Sequence, residues 1–153
     1  MNNRTSEPGV LNFTRVFDAP RDLVFRCMIK PEHLTHFWGP IGVSIPLETI
    51  TVEPRAGGAF ETVMVNDADG SRYPVRAVYV EVKEPERIVW TEVESGMTTT
   101  STFKELGDSR TEVHIHQTNV PEAIRSPEAQ AGFASSLDRF AAYLERVSGG
   151  IGS

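Results

Sequence analysis

A single cysteine, Cys27, among 153 residues leaves no partner for an internal disulfide and no set for a multi-cysteine metal site. That usage fits a reducing compartment, and a cytoplasmic location is expected. No run of roughly 18 apolar residues occurs, so no membrane-spanning helix is expected. Residues 1–8 carry one positive charge, Arg4, with no apolar stretch behind it, which is not the pattern of a secretory signal. Basic residues are outnumbered: 15 Lys and Arg against 21 Asp and Glu give a net charge of −6. Such a balance, with the basic residues scattered, suits a phosphate backbone poorly, and no nucleic-acid partner is expected. Internal repeats, low-complexity tracts and dividing linkers are missing too.

What remains is an ordinary globular composition, 39% hydrophobic and 24% charged, which excludes wholesale disorder. One domain is expected over residues 10–147, between a polar lead-in at 1–9 and a fraying tail at 148–153. Residues 11–17 read as an imperfect strand. Asp18 offers an N-cap, Pro20 suits a first helical turn, and Leu23, Val24, Cys27 and Met28 recur at helical spacing. Pro31 interrupts that helix and starts a second short one carrying Leu34, Phe37 and Trp38, which Gly39-Pro40 ends.

From 44 to 119 the pattern changes. Turn signals at 54–58, 66–70, 83–86, 94–96 and 106–109 divide runs rich in Val, Ile, Thr and aromatics into about six strands of an antiparallel meander. Gly57-Gly58 reads as a sharp bend or bulge, and no Lys-Ser/Thr or helix start follows it, so it is not a phosphate cradle. Beyond Pro121, Ser126 offers an N-cap, and Phe133, Leu137, Phe140, Leu144 and Val147 follow at spacings of 4, 3, 4 and 3. That is one apolar stripe on a helix over 127–147, and the sheet is the large apolar partner able to bury it. The fold class is α+β.

Four passages carry a family resemblance. They are Arg15-Val16-Phe17-Asp18-Ala19-Pro20 with Val24-Phe25; Pro31-Glu32-His33-Leu34 with Phe37-Trp38-Gly39-Pro40; Glu53-Pro54-Arg55-Ala56-Gly57-Gly58-Ala59-Phe60 with Asp69-Gly70; and Gly132-Phe133 with Ser136-Leu137-Asp138-Arg139-Phe140 and Tyr143-Leu144. Over about residues 11–147 the chain resembles the helix-grip fold of the START/SRPBCC superfamily. More narrowly, it resembles homologues of the activator of the heat-shock-protein-90 ATPase (C-terminal-type domain). Phe133 stands where the family usually shows Trp, and Glu53 where Asp is common. The resemblance implies a curved antiparallel sheet of about six to seven strands, two short helices and a long C-terminal helix across the concave face. It also implies a mainly apolar cavity between that helix and the sheet, with no universal catalytic residue; no cofactor is expected.

Alternate residues of a strand share a face. Phe60, Thr62 and Met64 therefore go together, as do Ile88, Trp90 and Glu92, then Thr99, Ser101 and Phe103, then Val113, Ile115 and Gln117. With the apolar members facing the helix, unfilled space would be rimmed by Trp38, Phe60, Met64, Trp90, Phe133 and Leu137, with Thr99, Ser101 and Gln117 as polar anchors. These nine are the candidate ligand-binding residues. Glu92 is a weak catalytic candidate, a carboxylate whose pKa an apolar setting would raise; a plain position at the strand end, in water, is the preferred reading. His33, expected beside the cavity entrance, is the other.

No metal site is expected. His114 and His116 share a strand face with Glu112, but it is opposite to Val113 and Ile115 and so looks outward. His33 and His36 lie one turn apart with no further ligand at matching spacing. No Gly-x-Ser-x-Gly elbow occurs, and Cys27 lies on the apolar stripe of the first helix, where a buried inert thiol is expected. The leading functional reading is a non-catalytic binder of a hydrophobic or amphipathic small molecule. A cyclase-, aromatase- or hydrolase-like enzyme, as polyketide-cyclase-like relatives suggest, comes second, and a chaperone-ATPase-activating interaction module third. Whether the chain forms a homodimer is left open.

Overall fold

The computed structural model describes residues 9–152, with side chains as far as Val147. The expected lead-in, up to residue 8, and Ser153 lie outside the described residues. Strand β1 (Leu11–Phe17) runs into helices α1 (Arg21–Met28) and α2 (Pro31–Phe37). Next come β2 (Val43–Ser44), a 3-10 turn (Leu47–Thr49) and β3 (Thr51–Val52). The meander is β4 (Ala59–Asn66), β5 (Arg72–Lys83), β6 (Arg87–Glu92), β7 (Thr98–Gly107) and β8 (Arg110–Thr118). A second 3-10 turn (Glu122–Ile124) precedes helix α3 (Pro127–Gly152). Among the described residues no helix is long and apolar enough to cross a membrane.

The eight strands form one antiparallel sheet in the order β1-β8-β7-β6-β5-β4-β2, with β3 also on β4. β1 closes the far edge by pairing along β8, from Leu11 opposite Gln117 to Phe17 opposite Thr111. Every expected turn joins two strands. The strand beyond the expected number is β2, whose two residues are too few for an alternating pattern to register.

Local chemistry explains most boundaries. Ser126 caps α3 as expected: its Oγ accepts from the Ala129 N–H at 3.1 Å. Asp18 does not cap α1. Pro20 is the cap residue, in an extended conformation, and its carbonyl accepts from the Val24 N–H at 3.0 Å, so the helix begins too late for Asp18 to reach its first turn. Helix α3 continues to Gly152, past the expected end at 147. The Gly57-Gly58 bend is pinned to a bulge in β5: Gly57 N–H donates to the Tyr79 carbonyl at 2.8 Å, and Tyr79 N–H to that of Gly58 at 2.9 Å. A Cβ on Gly58 would stand 2.0 Å from the Glu53 carbonyl oxygen, so no larger residue fits.

The core occupies one end of the space between helices and sheet. Phe140 stacks on Phe37 at 4.2 Å between centroids and meets Phe17 at 4.9 Å; Phe25 meets Phe103 edge-on at 5.3 Å. Leu34, Ile88, Val113 and Leu144 complete the packing there. The C-terminal half of the α3 stripe is thus core, while its N-terminal half overlies something else. Phe140→Ala is expected to cost about 3–5 kcal/mol in urea unfolding, the range for truncating a core Phe. Leu137→Ala should sit at the low end of the leucine range, about 2 kcal/mol, because Leu137 also borders open space. A loss below about 1 kcal/mol at Leu137 would mean that the stripe is not seated as described.

Candidate functional site

Beneath the first half of α3 lies a cavity of about 440 Å³. Its wall is aromatic. Trp38, the residue that ends α2, meets Phe60 of β4 at 5.5 Å and Trp90 of β6 at 5.9 Å, while Phe60 and Trp90 meet at 5.0 Å. All three contacts are edge-on, so the three rings lock one another instead of filling the space with a flat stack. Phe133 forms the facing part of the roof, braced by Phe13 of β1 at 4.5 Å.

The floor is made of small and polar side chains. Thr62, Thr99, Ser101 and Gln117 are buried and border the cavity. The Gln117 amide nitrogen donates to Thr99 Oγ1 at 3.3 Å across the β7–β8 pair, which fixes its orientation. All nine candidate ligand-binding residues named from the sequence, including Met64 and Leu137, border this one space. Alternation along the strands brings them together. Leu11, Phe13, Thr62, Met97, Glu128 and Gln130 border it as well and were not on that list. Thr62 was legible, since it shares a strand face with Phe60 and Met64; Glu128 and Gln130 follow only from where the first turn of α3 lands.

The rim on the α2 side is held by α3. Arg139 Nη1 donates to three carbonyls between the end of α2 and the start of β2, Gly39 at 3.0 Å, Pro40 at 2.9 Å and Val43 at 3.0 Å. Ser135 Oγ accepts from the Ile41 N–H of the same segment at 3.1 Å. Gly39 and Pro40 border the cavity, so these bonds set its edge. On the other flank Arg15 of β1 pairs with Asp138 at 2.8 Å.

The two catalytic candidates do not meet. Glu92 ends β6 at the edge of the cavity, half-buried, and its Oε1 accepts from Ser95 Oγ of the next turn at 2.8 Å. His33 does not border the cavity, contrary to the sequence expectation. The short helix turns its ring toward α3, where Nδ1 shares a 2.5 Å hydrogen bond with the Tyr143 hydroxyl. His36 stacks on the other side of that tyrosine, at 5.4 Å. Burial pushes the nearby Cys27 thiol up to about 11, which keeps it protonated at neutral pH, and the Tyr143 hydroxyl also up. His114 and His116 stand on the outward face, where Asn12 Oδ1 takes His114 Nε2 at 3.2 Å and His116 Nδ1 at 2.8 Å. Among the described residues no three His, Cys, Asp or Glu side chains converge.

This combination of curved sheet, long closing helix and intervening cavity can be set beside known proteins. The family model described as Activator of Hsp90 ATPase homolog 1-like protein matches residues 18–145. The chain belongs to this family. No curated protein matches it in sequence. A protein from Chromobacterium violaceum, 28% identical, superposes with a TM-score of 0.81 over 88% of this chain and 96% of its own. One from Nitrosomonas europaea, 23% identical, reaches 0.79 over 92% and 97%. The AHSA1 protein from Silicibacter pomeroyi, 22% identical, reaches 0.74 over 89% and 97%.

Two consequences of how α3 is held against α2 and the loop after it are measurable. Arg139→Met is expected to cost about 1.5–3 kcal/mol of stability, the worth of a charged hydrogen-bonding group, because three backbone carbonyls lose their donor. Burial holds His33 below its ordinary value of 6.5, with Glu32 opposing and Arg26, Lys30 and His36 adding to the fall. The unfolded chain therefore takes up that proton first, so the stability gained from neutral His33 is present above pH 6.5 and lost as pH falls toward the folded value. The melting temperature should fall less steeply on acidification below pH 6.5 in His33→Asn than in the parent. Equal slopes would refute the assignment.

Proposed function

We propose that the chain binds a hydrophobic or amphipathic small molecule in the cavity under α3, as a non-catalytic carrier or sensor in the cytoplasm. The observation that carries this is the 440 Å³ space itself, walled by Trp38, Phe60 and Trp90 over a floor of short polar side chains. Its size lies within the range of small-molecule sites, and its make-up is theirs: apolar walls with a few placed polar groups. Burying a ring between those aromatics returns about 25 cal/mol for each Å² of apolar surface removed from water. Thr99, Ser101 and Gln117 then offer hydrogen bonds to one polar end. Cyclase- or hydrolase-like chemistry would need an acid or base facing the bound molecule, and of the two candidates only Glu92 borders the space.

The test uses N-phenyl-1-naphthylamine, a neutral apolar dye that brightens out of water. The protein should enhance its emission with saturation while quenching Trp38 and Trp90, and should melt higher in its presence, by about 2.7 kcal/mol of stabilisation at a hundred times the dissociation constant. Ser101→Phe or Thr99→Leu should remove the response and leave the fold, because an open space accepts volume that a packed core resists. If the filled variants unfold while the parent binds neither this dye nor any member of a broad apolar library, the space is closed core and the proposal fails.

A further inference from the structure

The cavity's ionisable groups are of one sign. Glu92, at the end of β6, and Glu128, in the first turn of α3, both border it. Glu128 is exposed and Glu92 half-buried, so both carboxylates stand where the space meets water. Among the described residues that border it there is no Lys, Arg or His. None of the nearby arginines borders it: Arg139 holds three backbone carbonyls, Arg15 pairs with Asp138, and Arg125, whose Nε is buried without a partner, follows the lining residue Ile124.

An anionic head group drawn into such a site must trade its water for protein donors. The floor offers hydroxyls of Thr62, Thr99 and Ser101 and one amide, whose nitrogen is already given to Thr99. The one feature favouring an anion is the start of α3, where free N–H groups carry partial positive charge. That end is already occupied: Ser126 Oγ takes the Ala129 N–H, and Glu128 sits in the same turn. Two full negative charges at the mouth outweigh what a half-charge, already capped, can give. The net charge of −6 acts in the same direction at longer range.

We infer that the cavity selects by charge as well as by apolarity, taking an uncharged or cationic aromatic amphiphile and rejecting carboxylates, sulfonates and lipid phosphates. This rests on the binding function proposed above and adds the chemical class of the ligand. A hydroxyl, carbonyl or amide on the ligand meets Gln117 and Ser101 at the floor, and a protonated amine at the other end meets Glu92 and Glu128.

A matched pair of dyes tests it. N-phenyl-1-naphthylamine and 8-anilino-1-naphthalenesulfonate share one ring system and differ by the sulfonate. Both are titrated into the whole protein, counting only the binding that Ser101→Phe removes. The sulfonate should bind at least about tenfold more weakly than the neutral dye. The double variant Glu92→Gln, Glu128→Gln should bring the two dissociation constants closer together, and added salt should do so in the parent. A sulfonate that binds the parent as tightly as the neutral dye overturns the charge selection while leaving the cavity a binding site. A gap that survives the double variant overturns it too, since the carboxylates are then not its source. If neither dye binds, the binding function itself falls, and this inference with it.

Discussion

Helix α3 is held at its flanks and at its C-terminal half, and the rest of the molecule depends on that. Arg139 reaches sideways to three carbonyls between the end of α2 and the start of β2, Arg15 reaches Asp138 from the opposite strand, and Phe140 is clamped between Phe37 and Phe17. A helix whose apolar stripe met nothing but sheet would settle until the gap closed, because each Å² of buried apolar surface is worth about 25 cal/mol. The lateral bonds oppose that collapse. Carbonyls that turn to a guanidinium are satisfied only while α3 keeps its height above the loop, so dropping the helix would strand three of them.

The sheet contributes the other half of the separation through side-chain size. On one inward face, the residues under the second half of α3 are large: Ile88, Phe103, Val113. Around the cavity short side chains, Thr62, Ala77, Thr99 and Ser101, stand between the large ones of Phe60, Trp90 and Ile115. Strand β7 changes from large to short within two residues, Phe103 to Ser101, while β8 changes from apolar Ile115 to polar Gln117. The bulge at Tyr79, tied to Gly57 and Gly58, bends β5 and β4 so that Phe60 faces both Trp38 and Trp90. Close-packed interiors leave few voids larger than a water molecule, and a space of about 440 Å³ over a floor lined by hydroxyls is large by that standard.

Much of this is legible in the sequence. A stripe spaced 4, 3, 4 and 3 fixed the buried side of α3, and the two-residue alternation put Trp90, Thr99, Ser101 and Gln117 on one face. Both are local periodicities, which a sequence states directly. What escaped were interactions between residues remote in the chain. Arg139 reads as one more charge on the polar side of a helix, yet its partners lie about a hundred residues earlier. His33 reads as a neighbour of the cavity because Trp38 is; five residues are out of step with the 3.6-residue turn, so the two side chains leave in different directions, and its partner Tyr143 is 110 residues away. Asp18 failed as a cap for a smaller reason: proline can itself stand at the cap position, and the helix began two residues later than the polar side chain suggested.

The segments that mark the family supply the scaffold and part of the cavity wall, since Trp38, Phe60, Phe133 and Leu137 lie in them and border the space. Phe37, Gly57, Gly58, Arg139 and Phe140 brace the helix, bend the sheet or pack the closed end of the core. Thr62, Glu92, Thr99, Ser101, Gln117 and Glu128 lie outside the four family passages, on strands β4, β6, β7 and β8 and on the first turn of α3. Strand positions facing an open space carry little packing burden, so they can change without breaking the scaffold, while the bracing residues cannot. Chains sharing only 22–28% identity can therefore superpose over nearly their whole length. In this chain the family passages seat the helix, bend the sheet and supply the aromatic wall at Trp38 and Phe60. In the proposed reading the carboxylates at the mouth and the hydrogen-bonding floor, which lie outside those passages, choose among the apolar molecules that the walls would accept.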